Sequence, residues 1–468
     1  ANRAGRTIAS GDTFDLSYWD TGTPKELQYP NGATEAYGLT VRGYVDSIMT
    51  TDNSSNLWFK NRYMYNGLGD RTWQYVYQTR PGNTALSDTF KYSYDGLRRL
   101  TRTICPPAHN NGDTATYSYD AMGNRVEKQS TYFGNTGYAI DNATNRITQA
   151  AGYYMNYDAN GNWVKKWHGD TPVTDFDLTY DFENRLKSVS GVGYGAYYMN
   201  MYYNGDGVRL YKETNADLCK KYIVDWMTTV VEQDAVCSLR YKYVYVNGML
   251  LSKIDASGNK YYYHHDGLGT IVGMSDESQA ITTSMLFDDF GNWLYWDSNW
   301  DYYSYTGQEY DWPLTDAYNL RAREYYPEYG RFMQNDPIGD RGGSLNWYTY
   351  VRNNPVNWVD LTGKSVSVCN SGWHRYLQAG NQSWGFYPHH DYEDILRRFP
   401  NSLMWVPGEI LSPDPASGNC KVISDDPCVE KCVSKFASAD MKDPPNYNFA
   451  FYNCITWVNE ILRICKSK

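Results

Sequence analysis

Along most of the chain apolar and polar positions alternate one by one, as in Tyr117-Ser118-Tyr119, so that every second side chain falls on one face of an extended strand. A short unit interrupts this alternation again and again. It runs from an aromatic residue through Asp or Asn, two loose residues and Gly to Asn, Asp, Arg or Trp, and a new strand-like run follows. Instances are Tyr65-Asn66-Gly67-Leu68-Gly69-Asp70-Arg71, Tyr94-Asp95-Gly96-Leu97-Arg98-Arg99 and Tyr119-Asp120-Ala121-Met122-Gly123-Asn124-Arg125. Others are Tyr157-Asp158-Ala159-Asn160-Gly161-Asn162-Trp163, Tyr180-Asp181-Phe182-Glu183-Asn184-Arg185 and Tyr203-Asn204-Gly205-Asp206-Gly207-Val208-Arg209. The step from Tyr157 to Tyr180 is 23 residues, as is that from Tyr180 to Tyr203. Self-similarity at such a period means a repeat architecture.

Each unit reads as strand, turn, strand. The Asp or Asn starts the turn by accepting hydrogen bonds from its own backbone, and Gly supplies the positive φ of a tight hairpin. An isolated two-stranded hairpin is marginally stable in water, so consecutive hairpins must pair edge to edge. The pattern therefore predicts a continuous, spiralling β-sheet. The copy Ile140-Asp141-Asn142-Ala143-Thr144-Asn145-Arg146 lacks both Tyr and Gly.

The repeats give way to an organising stretch from Tyr310 to Gly363. It contains Arg321-Ala322-Arg323-Glu324-Tyr325-Tyr326 and two Asp-x-x-Gly steps, Asp336-Pro337-Ile338-Gly339 and Asp360-Leu361-Thr362-Gly363. Residues 364–468 differ again in character, with Cys, Pro and two helix-like segments. One is supported by Tyr392 to Phe399. The other runs from Asn453, a good N-cap, to Cys465, with an apolar stripe of Ile455, Val458, Ile461 and Leu462. Three units follow: 1–309, 310–363 and 364–468.

Composition sharpens this picture. Of 468 residues, 41% are hydrophobic, yet 47 are Tyr and 16 Trp, so much apolar surface carries a polar tip. That favours thin sheets wetted on both faces over a thick aliphatic core. The net charge of −10, with no basic stripe, disfavours nucleic acid as a main partner. No run reaches the roughly 18 apolar residues of a membrane helix. The opening Ala1-Asn2-Arg3-Ala4-Gly5 is not the start of a signal peptide, and the chain reads as a piece of a longer polypeptide. Nine cysteines leave at least one thiol unpaired. Cys219 and Cys237 are spaced for a disulfide, and Cys428 and Cys432 give only a weak metal signal. No cofactor is expected.

The Tyr-Asp units resemble YD repeats over about Ser17 to Gly363, and the stretch 310–363 resembles the Rhs-repeat-associated core. The resemblance implies a hollow β-shell closed at one end by the core. It also implies self-cleavage by paired aspartates, here Asp336 and Asp360, that frees a C-terminal cargo. Two carboxyls forced together cannot both ionise, so one keeps a proton to polarise the scissile carbonyl while the other activates water. Either aspartate can equally cap a turn. The second step departs from the family's Asp-Pro-x-Gly, which leaves its backbone less rigid.

In the C-terminal unit Cys454 falls in the first turn of the last predicted helix, where free N–H groups stabilise a thiolate. His374 lies on a strand-like run that leads into a second one, Gln382 to Pro388. The order His then Cys, with Trp384-Gly385-Phe386-Tyr387-Pro388 and Asn453-Cys454-x-x-Trp457, resembles circularly permuted papain-like domains related to the NlpC/P60 hydrolases. That resemblance implies a Cys454 nucleophile, a His374 base and a polar residue orienting the imidazole, for which Gln378 and Asn381 are candidates.

The fold class expected is thus mainly β: a spiralling YD-repeat shell with a core plug, followed by a small α+β papain-like domain. The function expected is that of a polymorphic toxin, secreted or at the cell surface, served by secretion machinery and an immunity protein. Its target is protein, peptidoglycan or lipid, with no nucleic-acid partner and no membrane span. The rival is a structural, adhesive or filament-forming surface protein whose C-terminal cap is stapled by disulfides.

Overall fold

The computed structural model describes most of residues 3–364, with short gaps of which 106–113 is the longest, and beyond them six short strands between Ser367 and Tyr447. Its dominant element is a 27-stranded antiparallel sheet from Arg3–Ala9 to Trp293–Trp296, in which each strand pairs with its neighbours in sequence. Alternation survives into burial. Along Ala85–Tyr94 the side chains of Asp88, Phe90 and Tyr92 point inward while their neighbours face out.

The turns explain why the units hairpin where they do. In the unit that begins at Tyr119, the Asp120 carboxylate accepts the backbone N–H of Asn124 at 2.8 Å, and the Asp120 N–H donates to the Asn124 carbonyl at 3.0 Å. Gly123 takes φ +80°, and the pairing register slips by one residue between Ser118 and Tyr119. This is a three-residue loop closed by a left-handed residue and a bulge. The same geometry recurs with Gly69, Gly161 and Gly207 in the left-handed position. Gly96, expected from sequence to supply the positive φ of its turn, does not. Arg98 does so instead, at φ +63°. The copy at 140–146 also hairpins, but through a loop one residue longer: Asp141 pairs with Arg146, and the left-handed residue is Asn145, at φ +57°, which asparagine tolerates.

The sheet curls until its first strands meet its last. Phe14, Leu16, Leu27, Tyr29, Trp58 and Phe59 pack with Val244, Leu251, Tyr262 and Val272 in one cluster. The Tyr29 hydroxyl donates to the Tyr263 carbonyl at 2.8 Å, and the Gln78 amide donates to Met285 O at 2.7 Å. Glu35, with no exposure, receives the Tyr37 hydroxyl at this seam. Burial pushes the acid up to about 7, against those hydrogen bonds. His264 and His265, read from sequence as scaffold, are buried here, and burial pushes their imidazoles down to about 3 and about 4.

Tyrosine is therefore not merely a wetted surface residue. Tyr262, Tyr263, Tyr318, Tyr325, Tyr348 and Tyr350 are among the largest wholly buried side chains. The repeat tyrosines put their hydroxyls to a periodic use. Tyr65 donates to Val45 O at 2.6 Å, Tyr119 to Leu100 O at 2.7 Å, Tyr180 to Trp163 O at 2.8 Å and Tyr203 to Leu186 O at 2.7 Å. Each hairpin is thus tied back to its predecessor. The residue that ends the turn reaches forward: Arg99 to Asp120 O at 2.9 Å, Asn162 to Asn184 Oδ1 at 2.8 Å and Arg185 to Asn204 O at 3.2 Å. Cys219 and Cys237, spaced for a disulfide, are free thiols. No helix among the described residues is long and apolar enough to cross a membrane.

Candidate functional site

The organising stretch lies along the row of repeat turns. Its small sheet, Glu309–Tyr310, Tyr318–Asn319, Glu324–Tyr326 and Arg331–Phe332, is held by stacked and edge-on rings of Tyr305, Tyr318, Tyr325, Phe332 and Tyr350. Asparagines do the docking. Asn353 donates to Gly123 O at 2.8 Å, Asn346 to Asn124 Oδ1 at 2.5 Å and Asn335 to Asn160 O at 2.6 Å. The Asn357 side chain accepts from the Arg71 N–H at 2.7 Å, and Tyr348 donates to Gly161 O at 2.8 Å. These bonds satisfy turn groups that would otherwise be orphaned on burial.

A second anchor is ionic. Asp311 meets Arg209 at 2.7 Å and Lys212 at 2.8 Å, while Glu309 meets Arg209 at 2.7 Å and Lys212 at 2.9 Å. All four side chains are buried, so removing one partner would strand an uncompensated charge. Beside them Glu324 is pushed up to about 8, by burial first and then by Asp311.

These anchors place Asp336 and Asp360 together. The Arg323 guanidinium lies between them, its Nη2 3.0 Å from Asp336 Oδ2 and 3.5 Å from Asp360 Oδ2. That guanidinium stacks on Phe332 at 3.5 Å and is spoken for on its other nitrogens. Nη1 donates to Trp347 O at 2.8 Å and Nε to Gly363 O at 2.7 Å. Asp336 Oδ1 accepts the Ile338 N–H at 3.1 Å. Asp360 Oδ1 accepts three backbone N–H groups, of Thr362 at 3.2 Å, Gly363 at 2.8 Å and Lys364 at 3.3 Å. The turn that lacks proline is thus fixed by hydrogen bonds. Asp360 is a turn cap, and its second oxygen still faces Arg323. Burial pushes its acid up to about 6; Arg323 and the turn amides oppose this and Asp336 adds to it. A carboxyl that keeps its proton up to about pH 6, a second carboxyl and a shared cation can together move protons at a carbonyl.

Sequence reasoning named both aspartates and missed Arg323, although the Arg321-Ala322-Arg323 run was in view. In the C-terminal unit the predicted hairpin around His374 is present, with His374–Ala379, which carries Gln378, pairing antiparallel to Gln382–Pro388. Cys454, Asn381, both predicted helices and the Cys428–Cys432 pair lie outside the described residues. Among the described residues no group of His, Cys, Asp or Glu is arranged to hold a metal.

A closed run of tyrosine-tied hairpins, with an ordered core docked along its turns, defines a YD-shell. The chain belongs to the Teneurin YD-shell family, whose model matches residues 70–356. It is 31% identical over 294 residues to a tRNA3(Ser)-specific nuclease WapA of Bacillus spizizenii, a match covering 60% of this chain and 12% of that protein. It is 25% identical over 361 residues to double-stranded DNA deaminase toxin A of Burkholderia cenocepacia, covering 69% of this chain and 23% of the toxin. The crystal structure of TcdB2-TccC3-Cdc42 shares the fold at a TM-score of 0.63 and 19% identity, over 78% of this chain and 20% of that one. The chain therefore spans less than a quarter of each. That two of these relatives are named for acting on nucleic acid runs against excluding such partners on net charge.

Proposed function

We propose that this chain is the C-terminal part of an Rhs-type polymorphic toxin. The YD-shell encloses an effector formed by residues 364–468, and the core, residues 310–363, frees it by cutting the chain. The observation that carries the reading is the pair Asp336 and Asp360 on one guanidinium, with Asp360 in the turn that leads out of the core. The chemistry balances without a cofactor. Asp336 takes a proton from water, whose oxygen bonds to a peptide carbonyl carbon near Gly363. Asp360 hands its proton to the departing nitrogen as the C–N bond breaks. The shell is left with a new carboxylate and the effector with a new amine.

The test is intact mass of the denatured chain, beside Asp336→Asn and Asp360→Asn. The wild type yields two pieces, and each variant stays whole while keeping its β-sheet circular dichroism. An uncut wild-type chain defeats the self-cleavage reading.

For the effector the first reading is a thiol hydrolase or acyltransferase. Cys454 attacks an amide or ester carbonyl, His374 serves as base and Gln378 orients the imidazole. The hairpin at His374–Ala379 supports it. Its substrates are peptidoglycan peptides, protein side chains or lipid acyl groups, met outside the producing cell after secretion, with an immunity protein guarding the producer. A second reading, a nuclease-type effector, is favoured by the relatives' names, and the charge of residues 364–468 does not oppose it. Residues 364–468 hold 11 Lys and Arg against 11 Asp and Glu, so the net −10 belongs to residues 1–363. Brief iodoacetamide treatment without reductant separates the readings. An alkylated Cys454 and intact tRNA support the first; a disulfide at Cys454 with tRNA cleaved supports the second. A bridged Cys454 in an uncut, inactive chain returns the structural or adhesive alternative.

A further inference from the structure

The hairpin that joins Thr228–Gln233 to Leu239–Val246 turns at Asp234-Ala235-Val236-Cys237-Ser238. It is built like the repeat turns. The Asp234 N–H donates to Ser238 O at 3.0 Å, and the Asp234 carboxylate accepts the N–H groups of Val236 at 3.0 Å and Ser238 at 2.8 Å. The left-handed place, held by glycine at 69, 123, 161 and 207, is taken here by Cys237 at φ +66°. A residue with a Cβ is disfavoured there, and this one carries an exposed thiol. The turn fixes where that thiol sits, because the Cys237 N–H donates to Asp234 O at 3.1 Å and the Gln233 side-chain amide donates to Cys237 O at 3.1 Å.

Lys221 faces this turn from the neighbouring strand Lys220–Asp225, where the backbone pairs it with Gln233. Its ammonium donates to Ala235 O at 2.8 Å and to Cys237 Sγ at 2.9 Å. The carbonyl aims the nitrogen, and the sulfur lies beside it. The two atoms are already at least as close as the roughly 3–3.5 Å of a near-attack pair, so a bond between them needs little movement of the chain. Cys219, which the spacing had offered as the partner of Cys237, is instead in contact with the Tyr211 hydroxyl.

We infer that Cys237 and Lys221 form an oxidation-dependent cross-link, a direct bond between sulfur and nitrogen, when the shell meets a peroxide. The thiolate is the form of a cysteine that attacks an oxidant. The Cys237 sulfur takes one oxygen from hydrogen peroxide and becomes a sulfenic acid. The departing hydroxide takes a proton from the Lys221 ammonium and leaves as water. This frees the amine lone pair just as the sulfur becomes electrophilic. The amine then attacks the sulfur, the N–S bond forms as the S–O bond breaks, and the leaving hydroxide carries off an amine proton as a second water. Sulfur is oxidised and peroxide is reduced to water. The product is a sulfenamide, which thiols reopen, and it ties the strand Lys220–Asp225 to a turn beyond its own hairpin.

The test treats the full chain with dilute hydrogen peroxide under native conditions and then maps its peptides without reductant. The expected result is a linked pair carrying Lys221 and Cys237, lighter by two hydrogens than the separate peptides and parted again by dithiothreitol. A Cys219–Cys237 disulfide, a linked pair that retains an oxygen, or Cys237 found only as sulfinic or sulfonic acid overturns the inference. Lys221→Met is expected to lose the link and to leave a Cys237 sulfenic acid that dimedone traps. Lys221→Arg, which keeps the cation and removes the amine, is expected to lose it as well. A link to Cys237 that persists in either variant overturns the assignment of Lys221. Cys219→Ser is expected to keep the link, and its loss there would mean exchange through Cys219 and overturn the direct route.

Discussion

Phenylalanine would pack in the place of Tyr119, but it would leave the Leu100 carbonyl without the hydroxyl that now reaches it at 2.7 Å. Burying an acceptor with no donor costs about 1–3 kcal/mol. Tyr119→Phe is therefore expected to lower stability by about that amount in urea titration, and Tyr203→Phe, which strips Leu186 O, by a similar one. A loss under about 0.3 kcal/mol in both would mean that water replaces the tie. The ring's part in a ladder was readable from sequence because alternation alone places it. The hydroxyl's destination was not, since it depends on how far one hairpin is offset from the next. Arg323 was hidden for the same reason. Its partners Asp336, Gly363 and Trp347 come from three separate turns, and no local pattern announces their meeting.

At the scale of the element, a turn here serves its own hairpin and also receives the core. The two duties can be separated by two glycines that share a left-handed backbone. A Cβ on Gly161, φ +87°, would sit 2.2 Å from Asn335 Nδ2 and 2.7 Å from the Tyr348 hydroxyl. A Cβ on Gly82, φ +81°, would meet nothing within 4 Å. Both Ala variants carry the backbone strain, of order 1 kcal/mol. Gly161→Ala alone also pushes the core off its turn. It is expected to lose at least about 1 kcal/mol more than Gly82→Ala on denaturation and to slow or abolish cutting, while Gly82→Ala cuts normally. Hairpin positions were legible in the repeat units because Asp or Asn opens each of those turns, whereas Thr40 and Arg80 open others. The residue that takes the strained backbone was legible only where it is glycine, which is why Arg98 and Asn145 escaped notice.

For the whole molecule the buried acids set an unusual response to pH. Glu35 and Asp289 are both pushed up to about 7 by burial and Asp360 to about 6, each above its value in an unfolded chain. The folded state therefore binds their protons more tightly. The stability they lend is complete near pH 4 and drains away as the pH rises through 6 to 7. Glu309, held well below the ordinary range despite burial because Lys212, Arg209 and Lys220 surround it, works in the opposite sense but is ionised throughout this window. His264 and His265, held neutral in the fold, work in the opposite sense within this window, because their unfolded imidazoles take up protons below about 6.5. The share of one acid is therefore read by difference, and the denaturant midpoint of Glu35→Gln relative to the wild type is expected to be higher at pH 8 than at pH 5. A relative midpoint of Glu35→Gln that falls from pH 5 to pH 8 would contradict this.

A wall whose hairpins are tied back by tyrosine and forward by arginine or asparagine is a one-dimensional lattice, in which each unit feels chiefly its two neighbours. Pulled from one end, such a lattice peels. Each step would release about 23 residues, roughly 80 Å of extended chain. The core changes that behaviour, because its asparagines and Tyr348 grip turns spread from Arg71 to Gly161 and join non-neighbouring units into one mechanical block. Were the chain cut beyond the core, as proposed, every one of those grips would stay in place. On that proposal the shell would resist force as stiffly after the cut as before, and a freed piece would have to leave through an opening rather than by unravelling the wall.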